Sequence, residues 1–292
     1  MSDGPRYNFI TGLPRSGSTL LSAILRQNPK TTAGMTSPVG SITNALRIMM
    51  TQNTEIKALV DDPARARILR GIFDGYYSEH QDKEVIFDTN RGWSGRIPEL
   101  LHLFPEAKLI ATVRDPAWVF DSVETIIRKN PIRQSSMVKP GMNIEARAEA
   151  MMGHDGFIGG PLGHLKEAVF GQDSHRVMIV DYRALCVAPD KALDAIYKFI
   201  DLPAHEHDFD RVEYMQEEFD AALNTPGLHT VRSKVEYQER QTLLPPNIFA
   251  RLSSMAFWTG EMNTKAARVV IAEKAAIPLQ PADTAATVPQ NG

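Results

Sequence analysis

The stretch Tyr7-Asn8-Phe9-Ile10-Thr11-Gly12-Leu13-Pro14-Arg15-Ser16-Gly17-Ser18-Thr19-Leu20-Leu21 decides the fold. Tyr7 to Ile10 is a short apolar run and reads as a strand. Leu20-Leu21-Ser22-Ala23-Ile24-Leu25 reads as the first turns of a helix. Between them lies a loop with glycines at 12 and 17. A strand, a glycine-containing loop and a helix N-terminus make an anion cradle. Backbone N–H groups converge there and the helix dipole favours negative charge.

The loop has the spacing G-x-x-x-x-G-[K]-[ST] of a nucleoside-triphosphate loop, but Ser18 stands where the lysine belongs. That lysine neutralises β- and γ-phosphates, so its absence argues against a triphosphate. The cation sits earlier, at Arg15. Such a loop suits one 5′-phosphate carrying a further oxyanion group.

Working outward, Ala107-Lys108-Leu109-Ile110-Ala111-Thr112-Val113 reads as a buried parallel strand. It ends in Arg114-Asp115-Pro116. Asp115 suits an N-cap and Pro116 a first helical position. Val119, Phe120, Val123, Ile126 and Ile127 then recur at helical spacing. Arg114 and Ser122, two turns along, are placed to share one phosphate.

Together these residues resemble the sulfotransferases that use 3′-phosphoadenosine 5′-phosphosulfate (PAPS). The loop is closest to the Pro-Arg-Ser-Gly-Thr-Thr-Leu form of tyrosylprotein sulfotransferases and their bacterial relatives. The resemblance runs from about residue 7 to 258. It implies a P-loop-type α/β fold with a central parallel sheet flanked by helices. Pro14, Arg15, Ser16, Gly17, Ser18 and Thr19 would hold the 5′-phosphosulfate, and Arg114 and Ser122 the 3′-phosphate. Tyr182, in Tyr182-Arg183-Ala184-Leu185, resembles a tyrosine that lies beside the nucleotide. Arg232 and Lys234 fall where the family closes a loop over the adenosine.

Further strands are expected at about 84–88 and 176–181, giving four with those at 7–11 and 107–113. Helices begin at Asp62-Pro63, Ile97-Pro98 and Pro189-Asp190, and a late helix covers about 246–258. Strands alternating with helices imply right-handed crossovers and a parallel sheet. Residues 1–272 read as one domain. The tail 273–292, rich in Ala, Pro, Thr and Gln, reads as disordered. The glycine-rich segment Met152–Gly160 reads as a mobile loop over the site.

The chain has 292 residues and a formal net charge of -3, so a nucleic-acid partner is not expected. The single cysteine, Cys186, excludes an internal disulfide, and no Cys/His cluster has metal-ligand spacing. No signal peptide or membrane span is legible, so a cytoplasmic protein is expected, and a homodimer stays open.

Sulfuryl transfer needs positioned cations and N–H donors rather than a metal. Arg15 and the loop fit that work. Arg91, after the strand ending in Asp88, stands in for a lysine that the resembling family carries near the transferring group. The general base is not legible. The region Ala33–Pro38 lacks the family's carboxylate, and Asn90 stands near the histidine position of the small-molecule enzymes. Asp88, His154 and Asp155 are the remaining candidates. The acceptor is expected to be a small molecule or a tyrosine-containing peptide, with a phenolic hydroxyl favoured, because a phenol needs only a weak base. Arg91, Arg128, Lys129 and Arg133 are expected to supply a basic patch for an acidic peptide. Two other readings compete: a kinase or NTPase with a degenerate loop, against which the missing lysine and Mg²⁺ ligand speak, and a non-catalytic nucleotide-binding module.

Overall fold

The computed structural model describes residues 4–129, 132, 139, 141–212 and 233–271. The expected tail from 273 and the expected contacts of Arg232 and Arg133 lie outside them.

Six strands form one all-parallel sheet in the order β2-β3-β1-β4-β5-β6. They are β1 (Arg6–Gly12), β2 (Thr31–Ala33), β3 (Val85–Thr89), β4 (Leu109–Val113), β5 (Val177–Asp181) and β6 (Ala267–Val269). The four expected strands are present. The two edge strands were not expected, because Thr31-Thr32-Ala33 and Ala267-Arg268-Val269 are three residues long and carry no apolar run.

The chain moves from β1 to β2 and β3 on one side, then crosses to β4, β5 and β6 on the other. The strand order therefore reverses around β1. The crevice at the carboxyl ends of such strands is where open parallel sheets take ligands.

Both faces are covered, so the central strands are apolar on both sides. On one face Ile10, Phe87, Ile110 and Val180 pack against α1 (Ser18–Leu25) and α10 (Pro189–Phe199). On the other, Phe9, Ile86, Ala111 and Ile179 pack against α2 (Val39–Gln52), α4 (Asp62–Tyr76), α5 (Ile97–Leu103) and α8 (Gly159–Phe170). Phe9, Phe73, Trp93 and Phe104 form an aromatic cluster there, with ring centroids 5.0–6.0 Å apart. A third cluster joins α6 (Pro116–Lys129), α7 (Ile144–Met152) and α11 (Pro246–Ser253) through Phe120, Val123, Met151, Ile158 and Leu252. The late helix thus ends at Ser253, short of residue 258, and a 3₁₀ turn follows at Phe257–Thr259.

The segment around 152–160 is not a loose loop. Ile158 N–H bonds to the Met151 carbonyl at 2.9 Å and Gly160 N–H to Gly156 at 3.0 Å. A Cβ at Gly159 would stand 2.1 Å from the Met152 carbonyl oxygen. The glycines serve close backbone approach between two helices, a use that composition alone does not separate from mobility.

Candidate active site

The phosphate loop leaves β1 at Gly12. A Cβ there would sit 2.0 Å from the Thr112 carbonyl oxygen, and the backbone has φ 115°, so only glycine lets the loop start against β4. Arg15 and Gly17 are both left-handed, at φ 58° and 94°. Left-handed residues alternating with right-handed ones turn successive N–H groups to one side. Gly17 is the N-cap of α1 and has no side chain, so the first-turn N–H groups of α1 meet no side-chain cap.

Ser16 departs from its expected role. Its hydroxyl is fully buried, donates to the Leu13 carbonyl at 2.5 Å and lies 2.7 Å from Thr112 Oγ1. It braces the loop from below and can offer a ligand only its backbone. Pro14 is buried, whereas Ser18 and Thr19 are half-buried at the start of α1.

The two phosphate motifs meet. Asp115 Oδ1 accepts from the Ala117 N–H at 2.7 Å, capping α6 at Pro116 as its sequence demands. This sets Ser122 about two turns along, 8% exposed, where its hydroxyl accepts from Arg15 Nε at 3.3 Å. Arg114, at the end of β4, lays its guanidinium over the Tyr182 ring at 4.7 Å. Tyr182 in turn lies against Gly17, so close that a Cβ there would come within 2.7 Å of the ring. Tyr182 opens α9 (Tyr182–Val187), whose N-cap Asp181 accepts from the Arg183 and Ala184 N–H groups. Residues 15, 17, 114, 122 and 182 thus form one cluster although 167 positions separate its ends.

Lys234 is exposed and pairs with Asp210 at 2.9 Å. Its stretch reaches the cluster through other residues. The Tyr237 ring is 6.3 Å from that of Tyr182, and Arg240 lies close enough to act on Arg114. Arg240 is held by buried Asp121 at 2.8 Å and stacks on Trp118 at 5.2 Å. Burial holds the Arg114 guanidinium below its ordinary pKa, and the Arg240 charge adds to that. A partly dehydrated guanidinium with a second positive charge acting on it suits an anion. No periodicity or motif marks Tyr237 or Arg240, and only tertiary packing brings them in.

On the other side of β1, Asp88 does not fit the role of base. It is 0% exposed and both carboxylate oxygens are engaged. Trp93 Nε1 donates to one at 2.7 Å, and Ser37 and Tyr77 hydroxyls donate to the other at 2.6 and 3.0 Å. Burial raises its pKa while the three donors oppose that rise. The carboxylate ties three chain segments together, which corrects its reading as a catalytic group. The other two base candidates face solvent: the side chains of His154 and Asp155 are 97% and 100% exposed and contact each other at 3.0 Å.

Arg91 begins a 3₁₀ turn (Arg91–Arg96) after β3. Its carbonyl accepts from Thr11 Oγ1 at 3.2 Å, which fixes it beside the strand feeding the phosphate loop. Its guanidinium lies over the Phe157 ring at 4.5 Å. Among the described residues no group of His, Cys, Asp and Glu has the geometry of a metal site, and no helix is long and apolar enough to cross a membrane.

Comparison with solved structures places this architecture. A sulfotransferase domain from the curacin biosynthetic pathway superposes with a TM-score of 0.57 at 15% identity, covering 86% of this chain and 96% of that one. The sulfotransferase STF9 from Mycobacterium avium gives 0.46 at 15% identity, over 91% and 79%. Mouse SULT7A1, solved with PAP, gives 0.46 at 12% identity, over 85% and 82%. No curated protein matches the sequence. The Sulfotransferase family model matches residues 8–206, from the strand before the phosphate loop to beyond α10. With that match covering well over half of its length, the chain belongs to the sulfotransferase family.

Proposed function

We propose that this chain transfers a sulfuryl group from PAPS to an acceptor hydroxyl, phenolic or tyrosyl, and releases 3′,5′-phosphoadenosine. One observation carries the reading: Arg15–Ser122 and Gly17–Tyr182–Arg114 converge on one loop, with Arg240 beside them. That array offers backbone donors for one phosphate and two guanidinium groups for another, matching a nucleotide with separate 5′ and 3′ anions.

PAPS supplies the sulfuryl group as donor substrate. In an in-line displacement a new acceptor O–S bond forms as the S–O bond to the 5′-phosphate breaks. Arg15 and the loop N–H groups hold the leaving phosphate oxygen as its charge grows. Arg114, Arg240 and Ser122 anchor the 3′-phosphate. Arg91 faces the sulfuryl oxygens from the β3 side. The acceptor proton leaves to a weak base or to solvent, a route open to a phenol with pKa of about 10. The kinase or NTPase alternative is not favoured by the family match.

Calorimetric titration with 3′,5′-phosphoadenosine and with ATP tests the donor side. The first is expected to bind and the second to bind far more weakly. Labelled PAPS offered with phenols, a Tyr peptide flanked by acidic residues, its Phe counterpart and a sugar alcohol tests the acceptor. Label on the sugar alone would reject the phenol assignment.

A further inference from the structure

Arg91 is a long cation whose backbone is fixed and whose side chain has to be held by something else. Its carbonyl is tied to Thr11, and the Asn90 side chain caps the turn by accepting from the Gly92 N–H at 2.9 Å. Among the described residues no carboxylate pairs with its guanidinium. Its guanidinium lies over the Phe157 ring, 4.5 Å from Cζ.

Phe157 is placed with unusual firmness for a turn residue. The next residue, Ile158, is fully buried, and its N–H bonds to the Met151 carbonyl at 2.9 Å. Gly156, just before, is packed so that a Cβ would stand 2.4 Å from that same carbonyl oxygen. Further along α8, His164 lies against Gly95 of the Arg91 turn, at 3.0 Å from a Cβ there. The turn between α7 and α8 and the turn after β3 are therefore docked together, with ring and guanidinium at their junction.

We propose that Phe157 is a positioning residue for sulfuryl transfer: its ring holds the Arg91 guanidinium extended toward the transferring group. This rests on the sulfotransferase reading above. A ring suits this task better than a carboxylate. An ion pair would satisfy the N–H donors and cancel the charge, whereas a stacked ring takes one face of the guanidinium and leaves its edge donors for sulfuryl oxygens. It also limits the rotamers of a flexible side chain before substrate arrives.

The test combines kinetics with a spectroscopic reading. Phe157→Leu is expected to lower kcat by roughly five- to tenfold, the worth of a partly dehydrated cation–π contact, with affinity for 3′,5′-phosphoadenosine unchanged. Phe157→Tyr, which keeps the ring face, is expected to restore kcat. In an Arg91→Ala background Phe157→Leu is expected to have no further effect. In ¹⁵N-labelled protein the Arg91 Nε–H resonance, assigned by its loss in Arg91→Lys, is expected upfield and to move back in Phe157→Leu. A kcat unchanged in Phe157→Leu, equal losses with and without Arg91, or an Arg91 resonance free of ring-current shift would each overturn the proposal. A wild-type chain that shows the shifted resonance but passes label to no acceptor would reject the sulfuryl-transfer reading and leave the contact without a catalytic purpose.

Discussion

The two halves of the site, left and right of β1, are built on opposite plans. On the β4 side, cations lie against hydroxyls and rings: Arg15 on Ser122, Arg114 on Tyr182, and Arg240 on Trp118, where buried Asp121 also holds it. On the β3 side, a carboxylate is sealed inside by Ser37, Tyr77 and Trp93, and a single arginine faces outward over Phe157. The first half gathers positive charge to receive an anion. The second uses its polar atoms to hold its own framework and presents little charge. Under the proposed reading, substitutions in the two halves should therefore fall into two classes.

The largest expected effect breaks the donor half. Arg15→Ala is predicted to lower kcat by about 10²–10³-fold, as loss of an oxyanion stabiliser does, and to weaken 3′,5′-phosphoadenosine binding much less. Steady-state kinetics beside calorimetry decide this. Weak binding with kcat intact would make Arg15 an anchor only.

Next comes the framework of the other half. Asp88→Asn puts an NH₂ among three donors and is predicted to cost roughly 2–3 kcal/mol of stability, measured by denaturant unfolding. Activity per folded molecule should survive. A folded but inactive variant would return Asp88 to the role of base and erase the contrast drawn here.

A smaller effect sharpens the donor half. Arg114→Ala is predicted to weaken 3′,5′-phosphoadenosine about tenfold, one charge-assisted phosphate contact. Adenosine 5′-phosphosulfate, which has no 3′-phosphate, should bind as before. Equal losses for both would place Arg114 elsewhere on the nucleotide.

The smallest prediction lies outside both halves. Burial, with the neighbouring His205 charge, depresses the His207 pKa to about 4. Its Nε2 is 2.9 Å from the Tyr197 hydroxyl. The unfolded chain takes up this proton near the ordinary value of about 6.5, so stability is full above that pH. It falls as pH drops from about 6.5 to 4 and is level below. With the ring partly solvated the loss is on the order of 1 kcal/mol. Urea midpoints at pH 7 and pH 4.5 should differ less in His207→Gln. An equal drop in both would assign the acid sensitivity to other groups.

How far each half was legible in the sequence follows from these plans. The phosphate loop, the Arg114–Ser122 spacing and Tyr182 are local motifs, because a backbone cradle imposes residue types at fixed offsets. Tyr237, Arg240 and Phe157 answer to no offset. They are ordinary residues on distant segments that packing delivers, as are the short edge strands β2 and β6. Asp88 misled because a carboxylate at a strand end is equally a catalytic group or a buried tie. Only its three donors separate the two. The glycines of 153–160 misled similarly, since close helix approach and mobility use the same residue.

The central position of β1 bears on how the protein is made. This strand precedes the other five of the sheet in the chain, yet its neighbours are β3 and β4, and the pocket around its loop is completed by Tyr182 and by the stretch carrying Tyr237 and Arg240. Contacts across such sequence separations close slowly, because long loops lose their entropy before pairing rewards them. A nascent chain halted short of Tyr237 holds a finished phosphate loop and an unfinished pocket. Under the proposed reading, affinity for the nucleotide therefore reports a late stage of native assembly, because it waits for a stretch that follows β1 to β5 in the chain.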